Sequence, residues 1–572
     1  MGQAARGLAI LGTGLAALAF GLLAATEFRF TGDTEHYVGL ARAIAVGDGL
    51  ALQMWRQSQF PPGFPLVLAP AAWLFNGSFA AISRWAAALA SLVFALTWLY
   101  LRRRGSPLAL PIAILTTCST RFLDLATDNP MAEPVYMALS LAVLIWADCG
   151  SLAGDPRRGW GWVVTGCLLL VALPAVRSIG VSAVAAAALA PLLRALAPGA
   201  GRRPVAIRDA IPVIFAAVCL GSWSALVHQS GAGYLHDLLM SDPRHPDLGQ
   251  ASPAQVVARI AGNAGAEVGF LDDLLMPWFW INPTWWTPAL VAIGVLLVGW
   301  WRDLSSARPF AALYAFAYVG VLLVWPYLEE GPRFLAPLLP LLWMYLFEGL
   351  RTLLEALRAG RLWLRLAGLA WAVLALVGLA CVWRWQPGAF NRQEIAAAMA
   401  WAALLAGFGG FWQLLVGMAR RLTRQSAALL VGVGVAAFAI GSVAHAGPRI
   451  VARARGELPL GGVQRALRDA SRWIANATPP DALVLTTYAS RVGFATGRPT
   501  LNLPVTLSAD RFLELDRRYH ARFLLIVESP ADTYYTPNDV EKFAVLRTLF
   551  STRLDLVHHF DGGRIYAIRP EG

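Results

Sequence analysis

Long uninterrupted apolar runs recur along almost the whole chain, and no other feature limits its fold so tightly. A helix crossing a bilayer needs about 20 such residues, with a range of roughly 17–25. Runs of this kind lie at 7–25, 79–101, 107–122, 131–147, 160–176, 179–196, 210–227, 285–301, 309–327, 334–350, 362–383, 395–418 and 427–444. They predict about thirteen spans, the third being the shortest. Of 572 residues, 57% are hydrophobic and 14% charged. A soluble domain carries roughly 25% charge, so water is not the solvent for most of this chain. The predicted class is therefore mainly α: a polytopic membrane protein over 1–446, followed by a small extracytoplasmic α/β domain over 447–572.

The net charge of +12 is carried almost entirely by arginine, and the arginines cluster between the apolar runs. With the N-terminus taken as cytoplasmic, the inside loops hold Arg102, Arg103 and Arg104, then Arg157 and Arg158, then Arg202, Arg203 and Arg208, then Arg302 and Arg308, with further arginines at 351–365 and 420–424. The outside loops hold Asp33, Glu35, Asp48, Asp124, Asp128, Glu267, Asp272, Asp273, Glu329 and Glu330. This is the positive-inside pattern, and an odd number of spans puts the C-terminal domain outside. The first run has a basic start and ends in Ala24-Ala25, a signal-peptide pattern, but it is long for a cleaved segment. The expected location is the bacterial cytoplasmic membrane, with two long outer loops at 27–78 and 229–284.

Several function classes are excluded. No basic stripe with interleaved aromatics is present, so nucleic acid is not an expected partner. The five cysteines form no CxxC and lie in or beside apolar runs, and the histidines match no zinc spacing, so no metal site is assigned. A divalent cation is left open as a cofactor. No phosphate loop, nucleophile elbow or dinucleotide fingerprint occurs. Charged residues near span centres are nearly absent, which weighs against an ion-coupled transporter.

Polar groups gather instead at the outer ends of the spans. Asp33-Thr34-Glu35-His36-Tyr37 opens an amphipathic stretch that Gly47 closes, a short interfacial helix with Asp33 at its N-cap. Asp33 is then either a cap or a base fixed at the top of the first span. Gln59-Phe60-Pro61-Pro62-Gly63-Phe64-Pro65 breaks that helix and starts another. Asn129-Pro130 opens a span with Glu133 in its first turn, suited to the helix dipole or to a site facing Asp33. Arg333, after Glu329-Glu330-Gly331-Pro332, is either a snorkelling anchor or a phosphate clamp, and Arg177 is a second candidate for that clamp. In the C-terminal domain, helices are predicted at 463–477, 509–519 and 540–550, and strands at 482–487, 523–527, 554–560 and 564–568.

These stretches, with Arg333-Phe334-Leu335-Ala336-Pro337, Glu133-Pro134 and Trp473-Ile474-Ala475-Asn476-Ala477-Thr478-Pro479-Pro480, resemble the polytopic GT-C glycosyltransferases. The likeness is to bacterial members akin to protein O-mannosyltransferases and the aminoarabinose transferase of lipid A, and it covers essentially the whole chain. It implies transfer of a sugar from a polyprenyl-phosphate carrier to a cell-envelope lipid, glycan or protein on the outer face, by an inverting mechanism. Asp33 takes the catalytic acid's place, Arg333 and Arg177 the donor phosphate, and Glu35, Tyr37, Asp128 and Glu133 position substrates. Relatives that modify lipid A have Lys directly before the paired prolines, where this chain has Phe60. That removes one cation expected near the donor phosphate. The alternatives of another class are a flippase for a lipid-linked glycan and a non-catalytic envelope component.

Overall fold

The computed structural model describes residues 3–30, 33–52, 55–56, 60–149, 159–196, 207–228, 238–242, 248–275, 286–306, 308–326, 328–358, 424–503, 508–527, 546 and 553–569. The expected spans at 362–383 and 395–418 and the expected helix at 540–550 fall largely or wholly outside these residues.

Every other expected span is helical. In chain order the helices are α1 (Gln3–Leu23), α2 (Thr34–Val46), α3 (Gly63–Leu74), α4 (Phe79–Ala90), α5 (Leu92–Arg103), α6 (Ala109–Cys118), α7 (Thr120–Thr127), α8 (Ala132–Cys149), α9 (Trp160–Val176), α10 (Val181–Leu196), α11 (Ile207–His228), α12 (Pro253–Leu275), α13 (Trp286–Leu304), α14 (Phe310–Val324), α15 (Leu339–Arg358) and α16 (Arg424–Ala454). Two helical stretches among the described residues, Phe79–Arg103 and Leu429–Ala454, are long and apolar enough to cross a membrane on their own. The α6–α7 pair passes the same test together but bends by 61°. Six more apolar helices are shorter. The expected count of about thirteen spans is therefore not established by helix length.

The bundle is apolar inside and out. Tyr100, Tyr136, Tyr314, Tyr318, Phe64 and Phe122 are fully buried, while Ile10, Leu11, Leu15, Leu18 and Leu22 of α1 and Leu429, Leu430, Val433 and Ile440 of α16 stand exposed. Rows of exposed aliphatics on this scale suit a hydrocarbon solvent.

Two clusters of charge lie at opposite ends of α8. Glu133 is in its first turn. At its other end Asp148 lies 3.5 Å from Arg104, which also pairs with Asp303 and donates to the Tyr100 hydroxyl at 2.8 Å. The Tyr345 hydroxyl donates to Asp303 Oδ2 at 3.3 Å. Arg104, read from the sequence as one of a run of loop cations, is folded inward.

After α16 the chain forms α17 (Gly462–Ala477), β3 (Val484–Thr486), α18 (Ala489–Thr496), β4 (Thr500–Asn502), α19 (Ala509–Tyr519), β5 (Phe523–Val527), β6 (Leu554–Phe560) and β7 (Gly563–Ile568); β1 (Ala51–Leu52) and β2 (Trp55–Arg56) form a separate antiparallel pair between α2 and α3. The five C-terminal strands lie in the order β4-β3-β5-β7-β6, parallel from β4 to β5 and antiparallel from β5 to β6. Alternation along β5 sends Leu525 and Val527 to one apolar cluster and Leu524 and Ile526 to another, so the sheet is covered on both faces. Val484, Leu525 and Ile565 pack with Ala466, Leu467 and Val492 of the helices, and with Phe30 from the segment just after α1.

Candidate active site

Asp33 occupies the N-cap of α2, but its side chain makes no capping bond. Only its carbonyl serves the helix, accepting from the backbone N–H of His36 and of Tyr37, each at 3.1 Å. The carboxylate is thus available for another partner. Arg333 Nη2 donates to Asp33 Oδ2 at 3.1 Å.

The same guanidinium reaches a second acid. Arg333 Nε lies 3.7 Å from Glu133 Oε1, and that oxygen also pairs with Arg177. The result is an alternating row, Asp33–Arg333–Glu133–Arg177, drawn from the heads of α2 and α8, the turn before α15 and the end of α9. The two acids differ in exposure: the Asp33 side chain is 30% exposed and that of Glu133 1%. Asp33 is the accessible end of the row and Glu133 the buried one. One ring binds the two cations together: the Arg177 and Arg333 guanidiniums lie 4.8 and 5.0 Å from the centroid of Phe334. The Tyr318 hydroxyl donates to the Phe334 carbonyl at 2.6 Å, which fixes that ring's backbone.

Local sequence explains how each member arrives. Gly331 adopts φ 62 and ψ −158, a conformation essentially reserved for glycine, and so turns the chain into Arg333. At Gly63 a Cβ would stand 2.6 Å from the carbonyl group of Ala175, so only glycine lets the Pro61-Pro62 turn press against the end of α9, two residues before Arg177. The Thr34 hydroxyl donates to the Pro130 carbonyl at 3.4 Å, holding the start of α2 against the chain entering α8.

The remaining expected site residues take other places. Tyr37 is buried, edge-on to Phe60 and Phe64 at 5.8 and 5.0 Å. Phe60 itself stacks on His36 at 4.2 Å. Asp128 pairs with Arg453 of α16 at 3.5 Å, next to Asp124, which pairs with Arg449 and Arg453. Glu35 turns away from the row toward α18: the Ser490 hydroxyl donates to its Oε1 at 3.3 Å and Arg491 Nε lies 3.5 Å from the same oxygen. Burial pushes the Glu35 carboxyl up to about 7, against the pull of Arg491. Burial likewise holds His36 down to about 4, so its approach to Glu35 at 3.9 Å is that of a neutral ring.

Sequence reasoning missed Ser490, Arg491 and Phe30, which belong to contacts made across hundreds of residues and leave no local pattern. It also passed over Glu267 on α12 as an ordinary outer acid. One Glu267 oxygen is buried with no partner among the described residues. The described residues hold no group of three or more His, Cys, Asp or Glu able to bind a metal.

Among solved structures, the chain is similar to ArnT from Cupriavidus metallidurans bound to undecaprenyl phosphate, with a TM-score of 0.53 at 16% identity over 99% of each chain. The apo form of the same protein gives 0.51 at 15% identity over 100% of each. The chain has the GT-C fold. The oligosaccharyltransferase AglB from Archaeoglobus fulgidus, with an inhibitory peptide and a dolichol-phosphate, is a looser likeness: TM-score 0.44, 11% identity, 91% of this chain and 69% of that one. No protein-family model and no curated protein matches the sequence. Within the GT-C fold seen here, the alternating row and the C-terminal sheet lie at the same end of the helices, since Glu35, two residues after Asp33, touches α18.

Proposed function

We propose that this protein is a membrane glycosyltransferase that moves a sugar from a polyprenyl-phosphate carrier to an acceptor hydroxyl, with inversion at the anomeric carbon. The observation that carries it is the Asp33–Arg333 pair: a part-exposed carboxylate released from capping and held by a guanidinium that is itself anchored by a buried acid. Two carboxylates and two guanidiniums balance, so the row carries no net charge before the donor arrives. A phosphate arriving at Arg333 competes with Asp33 for the same N–H donors, and guanidinium matches phosphate in a bidentate way. Binding the donor then frees Asp33 to take a proton. In the transfer, the acceptor O–H proton passes to Asp33 and the acceptor oxygen bonds to the anomeric carbon. The bond from that carbon to the phosphate oxygen breaks, and its electron pair leaves on the polyprenyl phosphate, opposite Arg333.

Support for a lipid carrier comes from place as well as charge. The row sits at the ends of apolar helices, where a prenyl tail can stay in hydrocarbon while its phosphate reaches Arg333. The ArnT likeness, to a structure bound to undecaprenyl phosphate, agrees with this. The outer loops also carry no Asp-x-Asp spacing for a nucleotide diphosphate's metal. The expected partners are thus a polyprenyl-phosphate sugar, a cell-envelope acceptor and the surrounding lipid.

The experiment offers purified protein in detergent a lipid-linked sugar and a nucleotide sugar separately. Turnover of the first is expected, and because detergent abolishes sidedness a flippase shows none. Arg333→Ala should weaken use of the donor far more than use of the acceptor, since a charge-assisted contact worth roughly 1.5–3 kcal/mol is lost. Arg333→Lys should recover only part. Transfer from the nucleotide sugar alone refutes the proposal.

A further inference from the structure

Four residues, two on each side of Asp33, touch the C-terminal unit. Three residues before Asp33, Phe30 is buried in the same apolar cluster as Ala466, Leu467, Tyr488 and Val492, with its backbone in the left-handed region at φ 55. A bulky side chain pays for that conformation only where its surroundings hold it. Phe28 meets Phe494 of α18 edge-on at 4.7 Å. Two residues after Asp33, Glu35 takes the Ser490 hydroxyl and faces Arg491. Further along α2, the Arg42 guanidinium lies over the Phe494 ring at 4.8 Å while its Nε donates to the Gly77 carbonyl at 2.9 Å.

Resting on the proposed transferase activity, we propose that the C-terminal unit is a positioning element for Asp33, acting through Phe30 on one flank and through Ser490 and Arg491 against Glu35 on the other. An interface made only for stability has little use for Glu35. It is 2% exposed and its Oε2 meets no partner among the described residues, an arrangement that costs stability. What the Glu35 contacts supply is a second hold on the first turn of α2, beside the one that Arg333 exerts on the Asp33 carboxylate. A base must be held within about 0.5 Å of its productive position, and a misplacement near 1 Å costs on the order of a hundredfold in rate. Glu35, Ser490 and Arg491 are thus positioning residues, none of them touching the reacting atoms.

The test uses the full chain in detergent. Arg491→Ala and Ser490→Ala, both in the C-terminal unit, are compared with wild type by steady-state transfer from a lipid-linked sugar and by amide hydrogen exchange over residues 33–46. The expected result is a kcat lowered roughly tenfold to a hundredfold for Arg491→Ala, an unchanged KM for the donor, and faster exchange in the first turn of α2. Arg491→Lys should restore part of kcat. Unchanged kcat together with unchanged exchange overturns the proposal, as does a loss of donor binding equal to the loss of kcat. Should Arg491→Ala fail to fold, the milder Ser490→Ala carries the same comparison. The two proposals fail separately: a wild type inert toward every lipid-linked sugar removes the transferase, while exchange over 33–46 still decides whether Arg491 holds α2.

Discussion

Asp33 does at one residue what two are usually needed for. Its backbone starts α2 and its side chain leaves that helix for Arg333. Asp33→Asn keeps the volume and the backbone role, so α2 should form and the protein should purify normally. The amide is no base and carries no charge for Arg333, so transfer should fall roughly 10²–10⁴-fold. Measured transfer rates for well-folded protein check this, and a variant with normal turnover returns Asp33 to a purely structural part. The position of Asp33 was legible in the sequence, from the helix start at Thr34 and the stop at Gly47. Its partner was not, because Arg333 stands 300 residues away. The same limit hid Ser490 and Arg491 while leaving Glu35 visible: a short motif announces its own geometry and says nothing of what folds onto it.

Elements were legible where composition and turn residues marked both ends. α9 begins and ends with its apolar run, β5 and β6 fall where β-branched content and turn residues predict, and α19 spans the stretch expected for it. The expected single span at 107–122 is instead two helices, because Ser119 is extended at φ −61 and ψ 139 and its hydroxyl accepts from the Phe122 N–H, capping a new helix. β4 escaped notice because three residues show no alternation. The expected start of α15 at 334 moves to Leu339, after a 3₁₀ turn at Ala336–Leu338. The contact between α2 and α18 also makes a prediction about pH. Burial raises the Glu35 carboxyl to about 7 in the fold, above its ordinary value, so the folded state binds this proton more tightly than the unfolded chain. Stability contributed by Glu35 is therefore lost as pH rises from the ordinary carboxyl range through 7, and is level above that. The groups facing it are Asp33, His36, Ser490 and Arg491. Asp33 is present in both proteins of the comparison, and His36 titrates near 4, below most of the window. Glu35→Gln removes the linkage: thermal unfolding should show it gaining on wild type between about pH 5 and pH 8. A constant difference across that range refutes the assignment of this titration to Glu35.

At the scale of the whole molecule, α8 sets a length. From Glu133 to Asp148 it rises only about 22 Å at 1.5 Å per residue, and ion pairs hold it at both ends. An ordinary hydrocarbon layer is about 30 Å thick. α8 is buried along almost its whole length, so the acyl chains meet other helices. Phe79–Arg103 and Leu429–Ala454 have 25 and 26 residues, enough to cross that layer. Both acids of α8 therefore face protein, and their arginine partners hold the helix from its two ends. Arg104→Ala leaves Asp148 and Asp303 buried without their shared cation and should cost roughly 3–5 kcal/mol of stability. Thermal unfolding in detergent checks this, and a midpoint equal to that of wild type refutes it. Fastened at both ends, α8 is a strut inside the bundle: Glu133 keeps its height beside Arg333 because Asp148 is held at the far end.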